Sequence, residues 1–376
     1  MTHTAPAPAT AQLCALIAGD GVEFAALGMT AAEFFDACTV HDVHSLVHAR
    51  VVRLERDYPW PDDVCDELAR VVRAETACEM LRREEIAGSL NALAEVGVRP
   101  LVVKGTALAY GVYDTPIARP RLDTDLLIDE SHATAVRAVL TNRGYVAPPY
   151  CDELFAQFQM EKTDAFGVRH VFDVHWKIST QPVFADVLTF DAMQSRAIPV
   201  PALGPSAVAP DFVDALLLAC IHPAMHHQNV ERILWTYDTH LLASRLTRDD
   251  FVEFVRRVRQ KRVATVCAHA LRRARARFCT LVPADVLREL SDAGDEPSAE
   301  YLASDRKWRH ELASSVRGLP TFGARVKLLR DVLLPAPSYM LGAYKLRGKP
   351  LAQLLLPVLY AHRNARGAWK ILTGKK

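Results

Sequence analysis

The chain has 376 residues, of which 50% are hydrophobic and 24% charged; this balance is typical of globular proteins and excludes disordered and collagen-like ones. Its 45 Lys/Arg and 44 Asp/Glu leave a net charge of +1, and no apolar run approaches the ~18 residues of a transmembrane helix. We expect two or three domains and no membrane span. The eight cysteines form no CxxC pair, which in a chain of this size predicts reduced thiols and a cytoplasmic location.

Positive charge is concentrated near the C-terminal end of the sequence. Residues 301–376 contain fifteen Lys/Arg against three Asp/Glu, a local charge of +12. Such asymmetry indicates that this part faces something anionic, either a ligand or the acidic remainder of the chain. An ordinary solvated basic surface is the alternative interpretation, and the sequence leaves both open.

Apolar residues recur at intervals of three and four up to about residue 96, and this periodicity predicts an N-terminal helical region, residues 1–95. The pattern then changes to short β-branched or alternating runs. These predict three buried strands at 98–103, 122–129 and 168–178. With a helix predicted between the second and third strands, they form an α/β core over residues 96–200.

A segment rich in Pro, Gly and Ala at 201–210 is typical of a linker that closes this core. Beyond it the periodicity is helical again, which predicts a C-terminal helical domain, residues 201–376. The predicted fold class is therefore α+β, a small mixed-sheet core flanked by N- and C-terminal helical regions.

Two carboxylates occupy alternate positions of the second predicted strand. Residues i and i+2 of a strand point to the same face, so Asp123 and Asp125 should lie side by side. Such a pair stays ionised only beside positive charge, and hard oxygen ligands favour Mg²⁺ or Mn²⁺. The third predicted strand carries Asp173 and His175 on one face, and Asp173 would complete the metal site or act as a general base.

The segment Lys104-Gly105-Thr106 follows the first predicted strand, where a helix begins. Free backbone N–H groups and the helix dipole at such a turn form a cradle for phosphate, and glycine permits close approach. Lys104 would contact a phosphate or pair with an acid at the strand end, and the sequence favours neither alternative.

Two arginines, Arg119 and Arg121, lie in the loop before the paired carboxylates. Arginine is the bidentate phosphate ligand of choice, so they would clamp a triphosphate. The alternative is that they neutralise Asp123 and Asp125 in the free protein.

These motifs together resemble the polymerase-β-like nucleotidyltransferase superfamily. The segment that begins KGTAL and ends RPRLDTDLL is similar to an uncharacterised bacterial nucleotidyltransferase family with the order KG, DxD and DxHW. The chain departs from the superfamily pattern in having Gly-Thr at 105–106 and a polar Thr124 between the two acids.

The resemblance implies transfer of a nucleoside monophosphate from an NTP to an acceptor, by in-line displacement with Mg²⁺ or Mn²⁺. Asp123, Asp125 and Asp173 would then be the catalytic metal ligands. The acceptor could be a small molecule, a peptide, a protein or an RNA end. The alternatives are a toxin-like enzyme that modifies tRNA or protein, and a nucleotide-binding regulatory protein that has lost catalysis.

The helical C-terminal half resembles the same family at CIHPAMHH and ILWTYDTHLL. This resemblance places His222, His226 and Asp238 on the acceptor side of an active-site cleft. The alternative is that these groups pin helix to core through buried hydrogen bonds. His175 is a further acceptor-side candidate, which would support Asp173 or the rim of the site, and the alternative is an ordinary structural histidine. A zinc site at His222, His226 and His227 is also conceivable from their helical spacing, although no Glu or Cys ligand accompanies them.

Arginine and lysine are frequent between residues 256 and 277. They alternate with apolar residues, which is typical of a solvated helix face packed on a core. Binding of RNA through these basic helices is the second interpretation.

Overall fold

The computed structural model describes residues 7–54, 58–148, 156–303, 312–313, 315–317, 319, 321–335, 337–346, 349 and 351–373. Within them a mixed six-stranded sheet is flanked by helices, so the predicted α+β class is confirmed. Many of the basic residues of the charged segment 301–376 lie outside the described residues.

The sheet consists of β1 (Leu101–Val103), β2 (Thr124–Leu127), β3 (Gln157–Thr163), β4 (Arg169–His175), β5 (Ile198–Pro199) and β6 (Val208–Ala209). The strand order is β3-β4-β2-β1-β6-β5. The β2–β4 and β1–β6 pairs are parallel, and the other neighbours are antiparallel. The carboxylate-bearing strands β2 and β4 are therefore adjacent.

Two features of the sheet differ from the prediction. The segment predicted as a linker at 201–210 contains β6, which pairs with β1, so the sheet continues past residue 200. Strand β3 has no predicted counterpart, although Phe158 and Met160 alternate with polar neighbours and are buried as an edge strand requires.

The helices before β6 are α1 (Ala7–Ala18), α2 (Ala31–His41), α3 (His44–Leu54), α4 (Asp62–Glu95), α5 (Lys104–Gly111), α6 (Ala133–Asn142) and α7 (Phe190–Gln194). The start of α2 shows why they form where they do. Thr30 accepts a hydrogen bond from the backbone N–H of Glu33, whose carboxylate accepts one from the backbone N–H of Thr30. This reciprocal cap provides hydrogen-bond acceptors for two backbone N–H groups that have no acceptor within the helix.

The later helices are α8 (Phe212–His226), α9 (Ile233–Ala243), α10 (Arg248–Gln260), α11 (Ala264–Phe278), α12 (Ala284–Ser291), α13 (Phe322–Leu333), α14 (Pro337–Ala343) and α15 (Leu356–Thr373). None of the helices within the described ranges has the length and apolar content needed to cross a membrane.

The two faces of the sheet pack against different helices. On one face Val102, Leu126 and Val174 share a hydrophobic core with α4 and α6. On the other, Val103 and Leu127 share a core with α8 to α12. Since Asp125 alternates with Leu126, its side chain projects toward the second face, on the side of the C-terminal helices.

Candidate active site

Asp125, Asp173 and His175 each offer a ligand atom within 4.8 Å of the others. The parallel register of β2 and β4 produces this group, because it aligns Asp125 with Asp173 and Leu127 with His175. The imidazole Nε2 of His175 lies 2.9 Å from Asp125 Oδ1 and 3.2 Å from Asp173 Oδ2. Two carboxylates and an imidazole thus converge on one point of the sheet.

The group has the chemistry of a divalent cation site. Carboxylate oxygens suit Mg²⁺ and Mn²⁺, whereas an imidazole ligand is more typical of Zn²⁺ and Fe²⁺. The Oδ1 atom of Asp173 is buried and has no hydrogen-bond partner among the described residues, which leaves it available for a ligand. Asp125, Asp173 and His175 would therefore hold the ion.

Asp123 does not belong to this group in the described structure. It lies one residue before β2, outside the paired register, and its side chain is exposed. The surrounding protein still partly desolvates the carboxylate, and together with the nearby charges of Asp125 and Asp173 this raises the pKa of Asp123 to about 6. A role for Asp123 as a metal ligand remains a prediction.

Lys104 lies at the end of β1 and begins α5 with a φ of 52°, in the left-handed region. Its Nζ is 2.6 Å from Asp125 Oδ1, so in the free protein this lysine pairs with an acid. Burial opposes the charges of both groups, but their attraction outweighs it. The pKa of Lys104 is raised, and that of Asp125, which His175 also contacts, is lowered below its usual range.

The Thr106 hydroxyl, predicted as part of the phosphate cradle, is buried and occupied within the protein. It accepts a hydrogen bond from Arg121 Nε at 3.0 Å and donates to the carbonyl of Asp123 at 3.5 Å. Gly105 is different, because a Cβ there would lie 3.5 Å from Arg119 Nη1, over a cleft that this glycine lines. That distance is an ordinary van der Waals contact, so Gly105 lines the cleft beside Arg119 without being required there by space.

Both predicted arginines are buried and paired with acids distant in the sequence. Arg119 Nε lies 2.8 Å from Asp238 Oδ1, and Arg121 Nη2 lies 2.7 Å from Glu79 Oε1. The interpretation that they neutralise Asp123 and Asp125 is therefore wrong. A buried guanidinium loses its hydration and therefore needs an acid close by. Helix α9 supplies Asp238 for Arg119, and helix α4 supplies Glu79 for Arg121.

Glu79 is a site residue that the sequence reasoning missed. It lies on α4 midway between the buried residues Val72 and Ile86, at intervals of seven. A lone acid within an apolar stripe of a long helix indicates a buried cationic partner, and that signal could have identified it. Tyr110 also donates a hydrogen bond to Glu79, so the acid braces both α5 and the Arg121 loop.

A family model described as an uncharacterised nucleotidyltransferase matches residues 29–279. The chain belongs to this family. The match includes the carboxylate strands, α5 and the C-terminal helices α8 to α11, so the resemblance based on KG, DxD and DxHW is confirmed. No curated protein matches the chain.

A cleft of about 40 Å³ separates α5 from α8 and α9. Its polar lining comprises Lys104, Gly105, Arg119, His222, Trp235 and Asp238. The C-terminal helices therefore form a wall opposite the first turn of α5. Two of the residues predicted for the acceptor side, His222 and Asp238, lie on this wall.

The predicted acceptor-side residues have different surroundings. Asp238 is buried and accepts hydrogen bonds from Arg119 and, at 2.7 Å, from the hydroxyl of Tyr113. It therefore pins α9 to the loop after α5. His226 Nε2 lies 3.2 Å from the carbonyl of Ile178 and does not line the cleft. His222 is the freest of the three, because its buried Nδ1 has no partner among the described residues.

The three histidines at the end of α8 pack their rings against one another and against Trp235. Desolvation lowers the pKa values of His226 and His227 to about 4, so both are neutral at pH 7. Within the described part of the chain, the cluster of potential metal ligands is the one around Asp125, and these histidines form no second one. The zinc interpretation has no support in this geometry.

Many arginines of the basic helices α10 and α11 contact acids of the same molecule. Arg257 lies 2.5 Å from Asp214, and Arg277 lies 2.8 Å from Glu231. Arg256 pairs with Glu253 on its own helix at 2.6 Å. This pairing fits a solvated, internally neutralised surface, and binding of RNA there remains a prediction.

Proposed function

We propose that this nucleotidyltransferase transfers a nucleoside monophosphate from an NTP to an acceptor hydroxyl or amine. The observation that carries the proposal is the convergence of Asp125, Asp173 and His175 beside the cleft at the start of α5. The family match supports nucleotidyl transfer in general, and the convergent group supplies a place for the chemistry.

The acceptor oxygen or nitrogen attacks the α-phosphorus, the α–β phosphoanhydride bond breaks, and pyrophosphate leaves. A bound Mg²⁺ or Mn²⁺ would neutralise charge on the phosphates and lower the pKa of the acceptor hydroxyl. The unpartnered Oδ1 of Asp173 has one of two roles: it completes the metal site, and the acceptor's proton passes to solvent, or it takes this proton itself as general base. Gly105 lets the phosphates approach the first turn of α5, and Lys104 lies close enough to balance their charge.

The direct test is incubation with each labelled NTP and Mg²⁺ or Mn²⁺, followed by mass spectrometry of the protein and of candidate acceptors. We expect Asp125→Asn and Asp173→Asn each to lower transfer by at least 100-fold, since each loses ligand charge without a change of shape. Asp186→Asn is the matched control, because Asp186 is 78% exposed and outside the group.

Near-normal transfer by Asp125→Asn would overturn the assignment of the site. NTP binding without transfer to any acceptor would instead favour a regulatory protein that has lost catalysis. Asp123→Asn answers a separate question, because only a ligand role predicts a loss as large as that of Asp125→Asn.

A further inference from the structure

A second cavity, of about 210 Å³, lies farther along α5. The cleft and this cavity share Ala107, Leu108, Pro210 and Ala215 in their linings. The two are therefore neighbours in the space between α5 and α8, which we call the α5 groove. It runs from Lys104 to Gly111, about 10 Å at the helical rise of 1.5 Å per residue.

The α5 groove changes character along its length. Its near end, at the cleft, presents Lys104, Arg119, His222 and Asp238. The far end is lined by apolar groups, among them Val112, Ile198, Val200, Phe212 and Leu242, and none of the described residues that line it is charged.

The one side-chain hydroxyl at the far end offers no free hydrogen bond donor. It belongs to Tyr110, which already donates to Glu79. Water gains little in such a space, whereas an apolar chain gains free energy in proportion to the area it buries. The volume also exceeds the ~150 Å³ of an apolar cavity that binds benzene.

We propose that the acceptor is a small amphiphile, with its hydroxyl head group at the near end of the α5 groove, beside Lys104, and an aliphatic chain in the far end. The assignment of the hydroxyl as acceptor rests on the proposed function, whereas binding of the chain does not. The unpartnered Nδ1 of His222 lies at the polar end, where it can contact the head group.

The groove can be blocked at a position chosen from the structure. Gly111 lines the far end, and a Cβ at this residue would meet nothing within 4 Å. Gly111→Leu therefore places a side chain next to the groove without a clash, and it replaces the poorest ordinary helix former in α5. Gly367→Leu is the matched control, because Gly367 also has nothing within 4 Å and lies on α15, away from the groove.

Binding is measured by displacement of N-phenyl-1-naphthylamine with linear alkan-1-ols from butan-1-ol to octan-1-ol, with no nucleotide present. We expect affinity to rise about fourfold per methylene, the ratio that corresponds to ~0.8 kcal/mol per buried CH₂. Gly111→Leu should weaken the binding of octan-1-ol by at least tenfold and that of butan-1-ol much less. Gly367→Leu should bind both alcohols as the wild type does.

An affinity independent of chain length would overturn the groove proposal, as would octan-1-ol binding that equals the wild type in both Gly111→Leu and Ala215→Leu. Ala215 lies at the junction of the two cavities and is less exposed than Gly111, so its leucine variant tests the groove at a second point.

A second measurement separates this inference from the proposed function. Octan-1-ol is incubated with each NTP and Mn²⁺, and the products are scored for alkyl nucleotide by mass spectrometry. Chain-length-dependent binding without transfer to any acceptor supports the groove and contradicts the proposed reaction. Transfer to another acceptor that is unaffected by Gly111→Leu supports the reaction and contradicts the amphiphile.

Discussion

Asp125 Oδ1 is contacted at the same time by two side chains that can carry positive charge. Lys104 Nζ lies at 2.6 Å and His175 Nε2 at 2.9 Å, and the side chain of Asp125 is only 9% exposed. A buried carboxylate remains ionised only with such compensation. A divalent cation bound at this site must therefore share Asp125 with the lysine ammonium, and the two repel each other.

Lys104→Met should therefore bind Mn²⁺ more tightly than the wild type, by about tenfold for a loss of ~1.4 kcal/mol of repulsion. Without metal the same variant should melt at a lower temperature than the wild type, because Asp125 loses its closest cation. Added Mn²⁺ should bring its melting temperature back to the wild-type value. Calorimetric titration with Mn²⁺ and thermal melts measure the two effects. Lys177→Met, an exposed lysine on the adjacent segment, is the control. Unchanged or weaker Mn²⁺ binding by Lys104→Met would contradict this electrostatic account.

At the scale of elements, the ion pair between Arg119 and Asp238 joins the loop after α5 to helix α9. The pair is buried, and Tyr113 adds a further hydrogen bond to Asp238. The loop and helix together form one end of the cleft, because both charged residues line it. The position of α9 against the active site thus depends on a contact between groups that are 119 residues apart.

Asp238→Ala should lower the free energy of unfolding by ~3–5 kcal/mol, because it leaves the Arg119 guanidinium buried without its acid. In Arg119→Met/Asp238→Leu the loss should be smaller than the sum of the single variants, since no charge remains unpaired. Urea denaturation measures both. Glu67→Ala, which breaks an exposed pair with Arg70, should have little effect. A normal stability of Asp238→Ala together with lost acceptor use would favour a substrate-binding role over a pinning role.

At the scale of the whole molecule, the N-terminal helices and the C-terminal helices share a hydrophobic core. Ile233, Leu234 and Phe278 belong to the same buried cluster as residues of α1 to α4. His41 links the two regions, because its Nδ1 accepts a hydrogen bond from the backbone N–H of Ile233 at 3.4 Å. Its Nε2 lies 3.1 Å from the hydroxyl of Thr10. We expect the two regions to unfold together.

Acid should weaken this link. Burial lowers the pKa of His41 to about 4, whereas the unfolded chain takes up the proton near pH 6.5. The unfolded state therefore binds more protons between these values, and stability falls as the pH drops from about 6.5 toward 4. His41→Gln should flatten this fall in the free energy of unfolding, measured with urea at several pH values. His132→Gln, outside the buried cluster that surrounds His41, is the comparison. Equal slopes for His41→Gln and the wild type would contradict the argument.

Local sequence patterns determined the elements that carry the chemistry. Alternation of apolar and polar residues places Asp125 and Asp173 on strands, and the Lys104-Gly105 turn marks the start of α5, as the structure has them. These features depend on neighbours two to four residues apart, so they are visible in the sequence alone. The order of the motifs was also sufficient to indicate the nucleotidyltransferase family.

Only the tertiary structure decided which side chains meet. His175 joins Asp125, 50 residues away, because β2 and β4 pair in parallel, and the register between two strands is not encoded in either strand alone. Arg121 finds its acid on α4, 42 residues away, so no spacing rule could predict the pair. The α5 groove likewise exists only because α8 packs against α5, with β5 and β6 along its side. Contacts between distant segments follow from packing of the whole chain, and they determine what the site can bind.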